Sequence, residues 1–330
     1  MEHGRNEDRG NVYVTRKLID EALAELRTRC RVDVAPQGGL DRTGVLEAVR
    51  GREAILASYL KLDAEIVAAM APTCRIIACY GVGYDHVDVD AATRHGIWVT
   101  HNPGFVTEDT ADLAFALLMG VARRLRESDG FVRSGRGGWG PTLYTGVRVY
   151  GKTLGIVGSG RIATALALRA RGFAMRLLYT SRRRNEEFER LTGATYAAKE
   201  ELLRTSDFVS LHVPLTEETR HWIGAAELAM MRPSAVLVNT ARGPVVDERA
   251  LVAALAEGRL AGAGLDVFER EPEVHEGLKA SDRVLLCPHN GTATMEARVG
   301  MGASCAEKIF AALDGRVPPN CLNPEARAGK

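Results

Sequence analysis

The chain has 330 residues, enough for two domains with separate cores, and 46% of them are hydrophobic. Its 43 basic and 42 acidic side chains nearly cancel, which excludes a global field that would recruit nucleic acid or an anionic membrane surface. Six cysteines without a C-x-x-C pair read as reduced thiols in a cytoplasm, and neither a metal-ligand cluster nor an apolar run of bilayer length occurs.

The amino end, MEHGRNEDRGN, is charged and reads as a frayed tail, not a signal peptide. From Val12 to Thr100, short apolar runs (VYV, RVDV, AILAS, RIIACY, IWVT) alternate with helical stretches such as Leu18 to Arg29. Strands alternating with helices predict a parallel, doubly wound sheet, and this one is complete before any nucleotide motif begins. Within it, Tyr80-Gly-Val-Gly-Tyr-Asp85 follows an apolar run. Its closely spaced glycines can turn successive N–H groups toward an anion such as a substrate carboxylate; they would equally serve an ordinary βα turn.

Thr107 to Arg126 predicts the longest amphipathic helix, with acids in its first turn and arginines in its last. Its apolar faces exceed what one sheet needs to cover, so a contact with a second copy is a reasonable use. Gly135 to Gly146, with Trp139, Pro141 and Tyr144, reads as an ordered loop.

The chain is organised around Lys152 to Arg184. An apolar run enters the turn Gly158-Ser159-Gly160-Arg161-Ile162-Ala163, an amphipathic helix follows to about Gly172, and a second apolar run covers Leu177 to Tyr179. Strand, glycine turn, helix and strand make the setting in which G-x-G-x-x-G/A binds a dinucleotide. Gly158 permits the turn, Gly160 admits the pyrophosphate, and the small Ala163 lets the helix pack on the sheet. After the second strand comes Ser181-Arg182-Arg183-Arg184, with no carboxylate until Glu186. A carboxylate would accept a ribose 2′-hydroxyl, whereas guanidinium forks and a serine suit a 2′-phosphate, so the expectation is NADP(H) preferred, with NAD(H) possible. The plainer reading is that three arginines merely begin a solvated helix.

Four later apolar runs each end in a polar group: FVSLHVP, AVLVNTARG, AGAGLDVFEREP and RVLLCPHNG. In an open parallel sheet the carboxyl ends of the strands form the ligand crevice, which gathers Arg242, Asp266, Glu271 and His289 near a bound nicotinamide. Taken singly they admit other roles: a surface ion pair for Arg242, a turn for Glu271 before Pro272, a satisfied core histidine for His289. A last helix, Thr294 to Leu313, precedes Gly315 and Pro318-Pro319 and returns to the first domain.

Taken together, GVGYDHVDVDAATRHG, TADLAFALL, LGIVGSGRIA, VNTARGPVVDE, GLDVFEREP and PHNGTAT, in this order, resemble the D-isomer-specific 2-hydroxyacid dehydrogenases, most closely their glyoxylate/hydroxypyruvate reductase branch. The resemblance implies two α/β domains, a flavodoxin-like discontinuous substrate domain (1–106 and 293–330) and a Rossmann-type NAD(P)-binding domain (107–292), in a homodimer. It implies a small 2-oxo or 2-hydroxy acid as substrate, Arg242 on its carboxylate, His289 as acid/base and Glu271 as the partner of His289. It also places Val82 and Gly83 as backbone donors to the carboxylate, Asp266 toward the nicotinamide amide, Ser159 to Ile162 at the pyrophosphate, His212, Pro214 and Thr219 beside adenosine, and Thr240 toward the nicotinamide.

Two positions depart from the family pattern: Ala163 replaces its usual third glycine, and Asn290 stands where an apolar residue normally follows Pro-His. Rival readings within the family act on phosphoglycerate, phosphite or a bulkier 2-oxo acid; near the carboxylate loop only Lys61 offers an extra basic group. The same fold also serves as a dinucleotide-sensing corepressor, which would leave Arg242, Glu271 and His289 without chemistry. A methyltransferase would explain the glycine turn and leave the same three residues idle.

Overall fold

The structure is a computed structural model and describes residues 10–327; the charged amino end, as far as Arg9, lies outside the described residues. The chain divides into two compact units, one running to Val106 and resuming at Thr292, the other Thr107–Gly291.

The first unit is built on five parallel strands, β1 (Gly10–Val14), β2 (Cys30–Val34), β3 (Ala54–Ala57), β4 (Ile76–Cys79) and β5 (Trp98–Thr100), in the order β2-β1-β3-β4-β5. This is the flavodoxin-like order. Every residue of β3 and β4 is buried, which is why AILA and IIAC read as unbroken apolar runs rather than alternating ones. Helices α1 (Asp20–Arg29), α2 (Arg42–Ala48), α3 (Ala64–Met70) and α4 (Val89–Arg94) connect the strands. Asp41, Asp63 and Asp88 cap the last three, each carboxylate accepting a first-turn N–H from Gly44, Ile66 or Ala91. The longest helix of the described residues, α13 (Met295–Leu313), belongs to this unit and packs on α1.

The second unit holds seven parallel strands: β6 (Thr153–Val157), β7 (Arg176–Thr180), β8 (Thr195–Tyr196), β9 (Phe208–Leu211), β10 (Val236–Asn239), β11 (Gly262–Leu265) and β12 (Val284–Leu286). Their order, β12-β11-β10-β9-β6-β7-β8, is the Rossmann arrangement with one strand added at the β12 edge. The two-residue β8 carries no period and is not legible in the sequence. Its helices are α5 (Thr107–Ala122), α6 (Leu125–Arg133), α7 (Arg161–Arg171), α8 (Glu186–Thr192), α9 (Lys199–Thr205), α10 (Ala225–Met230), α11 (Glu248–Ala256) and α12 (Glu276–Ala280). Among the described residues, no helix is long and apolar enough to cross a membrane.

The helix expected over Thr107 to Arg126 is two helices. Residues 123–124 form a turn, with Arg124 in the left-handed region at φ 53°, and α6 starts at Leu125. The cause is a competing donor. Val147 N donates to Ala122 O at 2.8 Å, and Gly146 lies so close that a Cβ there would stand 2.3 Å from that same oxygen. The returning segment takes the carbonyl at which α5 stops.

A close approach also joins α1 to α13. A Cβ on Gly302 would fall 1.9 Å from Ala22 O, a backbone atom that cannot swing aside. Gly302→Ala is expected to pry the two helices apart and cost about 2–4 kcal/mol, read as a lowered Tm in thermal denaturation; an unchanged Tm would show that the crossing does not need glycine.

Candidate active site

The turn after β6 has the geometry that its glycines predict. Gly158 has φ 104°, its N–H donates to Thr180 O at 2.8 Å, and a Cβ there would lie 2.5 Å from His212 O. A side chain at 158 is therefore excluded by conformation and by space. Gly160 is the residue before α7, and nothing lies within 4 Å of where its Cβ would be. No side chain caps α7, so its first-turn N–H groups, with the positive end of the helix dipole, face an open position that a phosphate would fill. Ala163 is fully buried against the sheet, so the methyl that replaces the family glycine is accommodated.

The strand after this helix ends at Thr180, and the next residues divide into two kinds. The Ser181 hydroxyl donates to Arg183 O at 2.6 Å, which shapes the turn and commits its proton locally. Arg184 is a bidentate partner of Glu189, with both contacts at 2.8 Å, and that pairing holds the Glu189 carboxyl down at about 2. Arg182 and Arg183 are exposed and remain available, Arg182 lying within electrostatic reach of Glu218. Asn185, which no sequence motif marks, joins two parts of the site. Its oxygen caps α8 at Phe188 N, while its amide nitrogen reaches Ser159 O at 3.3 Å and Ser159 Oγ at 3.2 Å. The only available signal was that Asn precedes a helix start; its second contact spans 26 residues.

His212 follows β9, its N–H bonded to Val157 O at 2.7 Å and its Nε2 to Ser210 Oγ at 2.8 Å. Burial pushes its imidazole down to about 4, so it is neutral at neutral pH. Pro214 and Thr219 close the next turn, the Thr219 hydroxyl donating to Pro214 O at 2.6 Å.

The remaining strand ends are tied by backbone contacts. Asn239 accepts from Ala241 N at 3.0 Å and donates to Arg242 O at 2.9 Å, folding the Thr240-Ala241-Arg242 turn about itself. A Cβ on Gly243 would meet Phe268 O at 1.9 Å, so the segment carrying Arg242 lies directly against the segment leading to Glu271. Asp266 is buried and spends its two oxygens on Asn290 N and Gly291 N, each at 2.8 Å, while its own carbonyl accepts from His289 N at 2.8 Å. Burial raises the Asp266 carboxyl, and the two N–H groups and the nearby His289 oppose that rise.

On this turn His289 stands at φ 53°, and its Nδ1 meets Glu271 Oε2 at 2.7 Å. The other oxygen, Oε1, accepts from Phe268 N at 3.0 Å. Burial alone would raise the Glu271 carboxyl; the His289 hydrogen bond and charge, the Phe268 N–H and the Arg242 charge hold it below the usual range. The structure therefore brings Arg242, Asp266, Glu271 and His289 to one edge of one sheet. Two buried oxygens on this edge, Thr240 Oγ1 and Asn290 Oδ1, have no hydrogen-bond partner among the described residues. Together with the open position at Gly160 and the uncapped helix, they fit a polar ligand laid along the strand ends, as a dinucleotide would be. Val82 and Gly83 lie in the first unit, on the loop after β4, with Val82 exposed.

Comparison with known proteins bears on this geometry. Residues 115–291 match the family described as D-isomer specific 2-hydroxyacid dehydrogenase, NAD binding domain. The chain is 48% identical to a glyoxylate reductase of Thermococcus litoralis over 321 residues, 95% of this chain and 97% of that one. Among solved structures, a glyoxylate reductase from Paecilomyes thermophila superposes with a TM-score of 0.83 at 34% identity, covering 95% of this chain and 98% of the other. An NADPH-dependent glyoxylate/hydroxypyruvate reductase from Sinorhizobium meliloti, with NADP and malonate, gives 0.83 at 31% identity over 96% and 98%.

The depressed His212 has a consequence for stability. An unfolded histidine takes up its proton near pH 6.5 and the folded one only near 4, so between these values the unfolded state binds more protons and acidification destabilises the fold. Stability is expected to fall as pH drops through this window, and His212→Asn to flatten that part of the profile. Parallel urea midpoints at pH 7, 5.5 and 4.5 test this; identical slopes in both proteins would remove His212 as the cause.

Proposed function

The chain belongs to the D-isomer specific 2-hydroxyacid dehydrogenase family, and from that premise we propose that it reduces a small 2-oxo acid of the glyoxylate or hydroxypyruvate kind to the D-2-hydroxy acid, preferring NADPH. It is an NAD(P)-dependent oxidoreductase. The observation that carries the catalytic assignment is the 2.7 Å contact between His289 Nδ1 and Glu271 Oε2. A carboxylate in that position stabilises imidazolium and leaves Nε2–H as the proton donor.

When bound, the reduced nicotinamide supplies hydride to the carbonyl carbon of the substrate and is itself oxidised. His289 gives its Nε2 proton to the carbonyl oxygen and becomes neutral imidazole, so charge does not accumulate on that oxygen. Glu271 fixes the ring and its tautomer through Nδ1. Arg242 holds the substrate carboxylate with its planar fork, and the N–H groups of Val82 and Gly83 are further donors to that carboxylate. Thr240 and Asp266 are assigned to the nicotinamide side. Gly158, Ser159, Gly160, Arg161 and Ile162 are assigned to the pyrophosphate, and His212, Pro214 and Thr219 to adenosine.

The preference for NADPH rests on charge. No carboxylate occurs between Ser181 and Arg184, where one would repel a 2′-phosphate, and Arg182 and Arg183 are exposed cations. The Sinorhizobium meliloti reductase, described as NADPH-dependent, supports the same reading. All six cysteines are free, which suits a reducing cytoplasm. A homodimer is supported by the exposed apolar side chains of α6 and the segment after it, Leu125, Val132, Trp139 and Tyr150.

Loss of reduced-nicotinamide absorbance with glyoxylate or hydroxypyruvate tests the reaction. His289→Ala is expected to lower kcat by at least about a thousandfold with the Kd for NADPH unchanged. A kcat near the parent value would take His289 out of the mechanism. Separately, Ser181→Asp is expected to reduce the NADPH/NADH ratio of kcat/KM by roughly tenfold or more, because a carboxylate beside a 2′-phosphate is repulsive. An unmoved ratio would refute the account of that loop.

A further inference from the structure

The first unit contains a buried lysine that the mechanism does not use. Lys308 on α13 is 1% exposed, and its ammonium donates to two neutral oxygens, Asn102 Oδ1 and, at 2.9 Å, Ser304 Oγ. Burial lowers its pKa, because a charge this far from water is costly to hold.

Asn102 lies fully buried just beyond β5. Lysine can only donate, so it fixes the carboxamide with its oxygen toward Lys308 and its nitrogen away. The nitrogen then reaches Tyr80 O at 2.9 Å and Met301 O at 3.2 Å, while the Asn102 backbone N–H donates to Gly81 O at 3.0 Å. One residue along, His101 Nδ1 lies 3.0 Å from Val82 O; a carbonyl only accepts, so that nitrogen carries the proton. Three consecutive carbonyls, those of Tyr80, Gly81 and Val82, are thus held by two adjacent side chains and one backbone N–H.

In a planar trans peptide, the N–H of each residue points opposite to the preceding C=O. The cis bonds among the described residues are at Ala71-Pro72 and Glu271-Pro272, so the peptides of this loop are trans. Tying Gly81 O to Asn102 therefore aims Val82 N–H away from it, and tying Val82 O to His101 aims Gly83 N–H away from the imidazole. Neither N–H has an acceptor among the described residues.

We propose that His101 and the Lys308–Asn102 pair are positioning residues, which aim the Val82 and Gly83 N–H groups at the substrate carboxylate. This rests on the assignment of that loop to the carboxylate. Lys308 acts at one remove: it keeps Asn102 from turning its oxygen toward Tyr80 O.

The test is steady-state kinetics with glyoxylate on the full-length protein, alongside the Kd for NADPH and Tm. His101→Leu and Lys308→Met are each expected to raise KM for the 2-oxo acid roughly tenfold or more, the order of one hydrogen bond to a charged group, with a smaller change in kcat and an unchanged Kd for NADPH. His101→Asn, whose amide nitrogen can stand in for Nδ1, is expected to restore KM; a merely structural role would not distinguish the two residue-101 variants at equal Tm. Should Lys308→Met fail to fold, the partly exposed residue 101 still decides the matter. Val82→Pro, which removes one donor, separates the two ideas. A raised KM there with a parent-like KM in His101→Leu would overturn the positioning role. A parent-like KM in Val82→Pro would overturn the loop assignment, and the positioning role with it.

Discussion

A buried carboxylate whose two oxygens are both engaged by backbone N–H groups fixes the turn on which the rest of the candidate site depends. Asp266 sits at the end of β11, the strand between β10 and β12, and binds Asn290 and Gly291 across to the next strand end. Charge-assisted hydrogen bonds are short and strong when desolvated, and burial makes any unmade one expensive. The His289 backbone is thereby held at a positive φ that a non-glycine residue rarely adopts. The ring then meets Glu271 from a fixed direction. Placement of the proposed acid/base is in this sense a property of the sheet, because β11 and β12 bring the carboxylate and the turn together.

The same logic recurs at the other strand ends. Gly243 against Phe268 O, and Gly158 against His212 O, are places where backbone touches backbone and a side chain would push the two apart. Each joins a loop that carries a functional group to the loop beside it. A site assembled this way tolerates little drift, since moving one loop must move its neighbour, and hydride transfer needs just such fixed geometry.

Much of this is written in the sequence, and the reason is physical. The central strands of both sheets, β3, β4, β9, β10 and β11, are buried on both faces, so their apolar runs are unbroken and easy to find, and the polar groups after them stand out. Arg242, Asp266, Glu271 and His289 could be named because each follows such a run. Less legible were features that depend on contacts across many residues. The α5 helix ends at Ala122 because Val147 returns to take its last carbonyl, and nothing local to residues 107–126 announces that. The sequence presents Ser181 as a phosphate ligand, yet its proton goes to Arg183 O. In the sequence Arg184 is equivalent to its two neighbours, but in the fold Glu189 claims it. Asn185 reads as a helix cap, and its bond to the glycine turn is invisible without coordinates.

These local commitments sharpen the cofactor argument rather than weaken it. With Arg184 neutralised by Glu189 and the Ser181 proton turned inward, the charge open to the proposed 2′-phosphate is that of Arg182 and Arg183. A phosphate needs donors and positive charge, and a guanidinium fork supplies both without depending on the serine hydroxyl. Ser181 then contributes chiefly by what it is not, a carboxylate. Its hydroxyl also tightens the turn that presents the two arginines, so the proposed effect of residue 181 on specificity runs through charge and backbone shape together.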